Sequence, residues 1–103
     1  PWDTAKDVDE SAVITPLRQM SEVSSVASGR IHLSQNGTVK QDADLSEMVW
    51  SVPEIIADLS TMYTLQQGDV IYMGTPAGVG AVSRGDVLAG RVEGIGDFEV
   101  KIA

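Results

Sequence analysis

The sequence has no cysteine, which removes disulfides, thiolate nucleophiles and cysteine metal sites together and agrees with a reducing compartment. Positive charge is scarce. Seven Lys and Arg stand against fifteen Asp and Glu, a net charge of −8 over 103 residues, and such a surface repels nucleic acid and anionic membranes. Long apolar runs are also missing: nothing approaches the roughly 20 residues that cross a bilayer, and no basic segment followed by an apolar one marks a secretory leader. The expectation is a cytoplasmic protein with no nucleic-acid or membrane partner. An anionic small substrate would need a local cationic centre, either a lysine held in the site or a divalent metal.

What remains is 43% hydrophobic with a mean hydropathy of +0.02, the balance of one small globular domain or part of one. Residues 1 to 28 show weak periodicity and predict irregular structure with short extended pieces. Ile31 and Leu33 alternate with polar neighbours ahead of Asn36-Gly37, so residues 30 to 41 predict a β-hairpin. Ser51 and Glu54 form a capping-box pair with Pro53 in the first turn. Ile55, Ile56, Leu59 and Met62 follow at helical spacing, which predicts a helix over 52 to 62. Val70 to Met73 reads as a strand covered on both faces. Val87 to Glu93 and Phe98 to Ile102, joined by residues 94 to 97, read as a closing hairpin. No repeat, low-complexity tract or linker divides residues 1 to 103.

The Val70–Met73 run opens directly into Gly74-Thr75-Pro76-Ala77-Gly78-Val79-Gly80. Three glycines in seven residues permit positive φ and close approach of another molecule, and successive N–H groups in such a turn can form a concavity for an anion. The same residues serve any tight connection, and residue types alone leave both readings open. The spacing is neither a P-loop nor the dinucleotide fingerprint. Thr75 is the one hydroxyl side chain in the segment. Elsewhere, Asp3, Asp7, Asp9 and Glu10 read as a solvated acidic loop, without the glycine and terminal glutamate of a calcium loop. His32 falls on the outward side of its strand and has no second histidine beside it in the sequence. Pro1 reads as a processing or fragment boundary, Trp2 and Trp50 as packing residues, and Lys6 by type alone as a solvated charge.

Taken in order, PWDTAKDVDESA, NGTVKQ, SEMVWSVPEIIADLS, TLQQGDVIYMGTPAGVG and GDVLAGRVEGIG resemble the C-terminal portion of the fumarylacetoacetate hydrolase family, nearest its acylpyruvase and fumarylpyruvate hydrolase branch. The resemblance implies a β-rich α+β fold, with mixed sheets in several layers and few short helices, and a homodimer. It also implies a divalent metal, Mg²⁺ or Mn²⁺, chelated by a small anionic oxo acid. The family holds its metal with a Glu-x-Glu pair and an Asp, and this sequence has no Glu-x-Glu. The chain therefore looks like the C-terminal half of the domain, with the metal ligands expected upstream and the piece alone inactive. Two residues carry over: Lys6 matches the lysine that faces the substrate, and Thr75, with Gly74 beside it, matches the threonine at the carboxylate end. Lys6-Asp7-Val8-Asp9 departs from the common Lys-x-Phe-Asp, and Met73 stands where a Thr is frequent.

Hydrolysis of an acylpyruvate needs hydroxide at one carbonyl and a stabilised enolate leaving group. A lysine ammonium beside the developing oxyanion suits the second need, and removing such a donor costs about 2.7–4 kcal/mol. The implied activity is metal-dependent cleavage of the carbon–carbon bond of a 2,4-dioxo acid. Decarboxylation or tautomerisation of an oxo acid would use the same site, and a non-catalytic piece that completes a sheet with another chain is the reading from a different class.

Overall fold

The computed structural model describes residues 12–103. Strands β1 (Arg30–Gln35), β2 (Thr38–Asp44), β3 (Val87–Val92) and β4 (Gly96–Lys101) form one sheet in the order β2-β1-β3-β4, antiparallel at every pairing. One helix, α1 (Val52–Leu59), and two single 3-10 turns, Met20–Glu22 and Leu45–Glu47, complete the regular structure of the described residues. The β-rich α+β class is as expected. Of the several layers that the resemblance implies, these residues supply one.

The first hairpin closes because Asn36 and Gly37 adopt φ of 51° and 82°, the left-handed pair whose twist matches the flanking strands. β2 runs past the expected end at Gln41 and reaches Asp44 through a bulge: Leu33 faces Gln41 while Ser34 faces Val39, which leaves Lys40 as the extra residue. Beyond it Arg30 grips Asp42 with two parallel bonds, Nε to Oδ1 at 2.7 Å and Nη2 to Oδ2 at 2.8 Å. That hydrogen-bonded guanidinium holds the Asp42 carboxyl below its usual range. The closing hairpin turns one residue earlier than expected, over Glu93 to Ile95, because the Glu93 N–H donates to Arg30 O and Gly96 pairs with Val92.

Strand alternation sorts the sheet into two faces. Ile31, Leu33, Leu88, Val92 and Val100 share one face with Gly90 and Phe98; Arg30, His32, Ser34, Arg91, Asp97 and Glu99 share the other. The Phe98 ring lies across Gly90, filling the space a Cβ would occupy, and Gly90 is the one fully buried residue among those described. No described apolar side chain is fully buried, and Val49 and Leu17 are 93% and 86% exposed. The apolar layer is therefore thin.

In α1 both capping-box bonds are made: the Glu54 N–H donates to Ser51 Oγ at 3.3 Å, and the Ser51 N–H to Glu54 Oε2 at 2.7 Å. The helix ends at Leu59 rather than Met62. Ser60 Oγ and Thr61 Oγ1 donate to the carbonyls of Ile56 and Asp58 at 2.7 Å each, and hydroxyls that compete for the last carbonyls favour turn over helix. The larger correction concerns Val70–Met73. These residues are in no ladder, and Val70 and Tyr72 are 58% and 59% exposed, so the expected strand covered on both faces does not form here. Apolar, β-branched content is a statement about fit to a sheet; among the described residues no strand lies alongside to accept it.

Candidate functional site

The unpaired run delivers the chain to the Gly74–Gly80 loop, and β2 holds that loop at two points. Gln41, the first residue after the bulge, donates from Nε2 to Thr75 Oγ1 and to Pro76 O, both at 2.8 Å. Three residues on, Gly78 has φ of +102°, and a Cβ there would overlap the Lys40 carbonyl oxygen and lie 3.2 Å from Gln41 Cγ. Both the angle and the approach exclude a side chain. Of the three glycines in the segment only Gly78 needs its freedom: Gly74 and Gly80 have no positive φ and open space where a Cβ would be. The glycine that the loop requires is thus Gly78, which lets the loop lie against the bulge.

Thr75 is exposed and precedes Pro76, which confines its backbone to extended conformations. Pro76 O can only accept, so the atom 2.8 Å from it must be the amide nitrogen of Gln41, and the same nitrogen then donates to Thr75 Oγ1. The oxygen of Thr75 is thereby used as an acceptor. Its own proton has only Pro76 O within range, at 3.5 Å, too long for a strong bond. The hydroxyl proton is available to an anionic acceptor arriving from outside.

The far end of the loop is tied by Asp86. Its Oδ2 accepts from the Ser83 N–H at 2.8 Å and from Gln35 Nε2 at 2.7 Å, and its Oδ1 accepts from Asn36 Nδ2 at 2.9 Å. These donors, the Ser83 amide foremost, hold the carboxyl below its usual value. Asn36 also takes the Val87 N–H on its Oδ1 at 2.9 Å and gives its own N–H to Val87 O. The Asn-Gly turn of the first hairpin is thus bonded to the entry of β3.

The other sequence candidates separate. Lys6, like Pro1, Trp2, Asp3, Asp7, Asp9 and Glu10, lies outside the described residues. His32 is half-buried on the polar face, in register between Asp42 and Arg91. Trp50 is 49% exposed and lines a shallow concavity along α1 with Val49, Glu54, Ala57 and Asp58, rather than packing into a core. Among the described residues no three His, Asp or Glu side chains are placed to hold a metal ion. Gln41 is the residue that sequence reasoning missed. Its type carries no signal in a strand; the bulge at Lys40, immediately before it, is what turns it to the loop, and a register shift is not written in any one residue.

Residues 1–103 match the family described as Fumarylacetoacetate (FAA) hydrolase C-terminal. A fumarylpyruvate hydrolase from a Ralstonia species is 50% identical over 102 residues, which are 99% of this chain and 53% of that protein. The mitochondrial oxaloacetate tautomerase of Rattus norvegicus is 32% identical over 102 residues, 99% of this chain and 46% of that one. In three dimensions, the fumarylpyruvate hydrolase of Pseudomonas aeruginosa in complex with Mn²⁺ and pyruvate superimposes with a TM-score of 0.94 at 38% identity, over 100% of this chain and 44% of the other. The chain thus spans about half the length of the curated relatives it matches. With the glycine loop, its preceding Gly-Asp run and the closing Gly-Asp hairpin all within the matched span, the chain belongs to the fumarylacetoacetate hydrolase family.

Proposed function

We propose that the protein carrying this chain is a metal-dependent hydrolase that cleaves the carbon–carbon bond of a 2,4-dioxo acid of acylpyruvate or fumarylpyruvate type. The observation that carries the reading is the exposed Thr75 hydroxyl, its oxygen held by Gln41 and its proton uncommitted, on a loop pinned to β2. Pyruvate and Mn²⁺ in the Pseudomonas aeruginosa relative support it. In this reading Thr75, with the backbone at Gly74, binds the carboxylate of the oxo acid. Water adds to the acyl carbonyl; the bond to the pyruvate methylene carbon breaks, its electron pair leaves as the enolate, and a proton then completes pyruvate. Lys6 acts as an ammonium donor to the oxygen on which that enolate charge develops. The described residues do not fit a metal ion, so the ligands of Mg²⁺ or Mn²⁺ belong outside residues 12–103.

Among the described residues no helix is long and apolar enough to cross a membrane, and a cytoplasmic homodimer is the setting we propose. Steady-state kinetics on an acylpyruvate with saturating Mg²⁺ test the assignment of roles in the intact enzyme. Lys6→Met should lower kcat with little change in KM, a loss of about 2.7–4 kcal/mol. Thr75→Val should chiefly raise KM, by the 1.5–3 kcal/mol or so of one hydrogen bond to an ionised acceptor. Wild-type kcat in Lys6→Met would return Lys6 to the solvated charge its type suggests. The oxaloacetate tautomerase relative, at 32% identity, favours a second reading in which the same residues bind oxaloacetate and move a proton without cleavage. Release of a carboxylic acid from the acylpyruvate separates the two. An intact protein with neither activity would leave a non-catalytic, sheet-completing role.

A further inference from the structure

We propose that Gln41 is a positioning residue of the substrate site, acting through Thr75: by donating to Oγ1 it fixes the side-chain rotamer and directs the hydroxyl proton toward the carboxylate of the bound oxo acid. The inference rests on the reading of Thr75 given above and goes beyond it by naming the residue that sets its polarity. Three observations carry it. The carbonyl of Pro76, an acceptor only, fixes which end of the Gln41 amide faces the loop. The same nitrogen reaches Thr75 Oγ1 at 2.8 Å, so this hydroxyl accepts from the protein and is left to donate elsewhere. Its alternative acceptor, Pro76 O at 3.5 Å, is itself taken by Gln41 at the shorter distance.

The geometry also explains why a glutamine suits this place. Two N–H donors on one nitrogen can serve two acceptors on adjacent residues, which a glutamate cannot do, and a carboxylate here would face the substrate's own charge. A chain of donors, amide to hydroxyl to carboxylate, is polarised along its length, so each bond strengthens the next. The bulge at Lys40 is the backbone device behind it. It breaks the two-residue alternation next to Gln41, and it sets the Lys40 carbonyl where only a glycine at position 78 can pass.

A double-mutant cycle in the full-length enzyme tests this. Gln41→Met, which keeps the length and loses both donors, should raise KM for the acylpyruvate about five- to tenfold, the size of one hydrogen bond, with kcat within about twofold and an unchanged melting temperature. The same substitution made in Thr75→Val should add almost nothing, whereas in Thr75→Ser, which keeps the hydroxyl, the rise should return. Gln41→Glu should raise KM more than Gln41→Met. An equal rise in the Thr75→Val background would overturn the proposal, because Gln41 would then act through Pro76 or the fold. A wild-type KM in Thr75→Val alone would sink the reading of Thr75 and this proposal with it, and a fall in melting temperature that accounts for the rise would make Gln41 merely structural.

Discussion

The chain contains the string Gly-Asp-Val followed by an apolar residue twice, at Gly68-Asp69-Val70-Ile71 and at Gly85-Asp86-Val87-Leu88, and the two copies end differently. Both begin alike. Gly68 and Gly85 have φ of +96° and +91°, and Asp69 and Asp86 each accept the N–H of the residue three back, Gln66 or Ser83, at 2.8 Å. From there Val87 enters β3, paired on both sides, while Val70 enters a run with no ladder, half open to solvent. The difference is made by residues 50 positions away. Gln35 and Asn36 bind Asp86, and Asn36 exchanges bonds with Val87; Asp69 has no such neighbour among the described residues. A turn motif launches an extended chain, and only a partner strand makes that chain a strand.

Proline substitution should break the comparison most sharply. The Val87 N–H is a donor to Asn36, and no hydrogen bond among the described residues uses the Val70 N–H. In the 103-residue chain Val87→Pro should destabilise the sheet by about 1–3 kcal/mol, since proline removes the donor and leaves Asn36 Oδ1 without its partner at the entry of β3. Val70→Pro should cost less than about 1 kcal/mol, the size of a surface change away from such features. Urea unfolding read by circular dichroism compares them. An equal loss at Val70 would mean that a strand not seen here, such as that of a second copy, pairs with the run.

Comparable in size is a pair of glycines. Gly78→Ala puts a methyl against the backbone of Lys40 at a positive φ; the left-handed angle alone costs about 1–2 kcal/mol, and the crowding adds about 1–3 kcal/mol. Gly90→Ala meets the outer edge of the Phe98 ring, a side chain that is 36% exposed and can swing away, so about 1 kcal/mol is expected, at the low end of that range. The two should differ in kind as well as size. Gly78→Ala should lift the loop off β2 and raise KM in the full enzyme; Gly90→Ala should lower stability and leave KM alone.

Some of this was legible in the residues. Asn36-Gly37 and the Ser51 and Glu54 pair each specify their geometry within four positions, and the hairpin and helix form where they indicate. The family's loop could be placed, and Thr75 singled out, because a hydroxyl between glycine and proline is a local fact. What could not be read depends on contacts distant in sequence: the bulge at Lys40, the contact that makes Gly78 necessary while Gly74 and Gly80 are not, and Gln41 itself. Val70–Met73 misled for the same reason, since β-branched content reports suitability for a sheet rather than the presence of one.

The smallest effect concerns acid, and it separates the two Gly-Asp turns once more. The Asp86 carboxyl is held below its ordinary value of 3.8 by the Ser83 N–H first, then by Asn36 and Gln35. A group whose folded value lies below its unfolded one binds its proton less readily when folded, so the unfolded state takes up more protons in the acid range. Its stabilising contribution is fully present above about pH 4, near the unfolded value, and is lost as pH falls through the lowered folded value. Glu54, held below its ordinary 4.5 by the Ser51 N–H in the capping box, adds to the same slope at α1. Unfolding midpoints of the 103-residue chain should therefore fall as pH drops from 5 through the acid side of these values. Asp86→Asn should lower the midpoint at neutral pH and flatten that acid dependence, because the group that gains the proton is gone. Asp69→Asn should lower the neutral midpoint by less, since its carboxylate takes one described N–H, from Gln66, where that of Asp86 takes three donors. Equal midpoints for the two variants at neutral pH would show that Gln35 and Asn36 add nothing to the turn they bind, and that the divergence of the two copies has another cause.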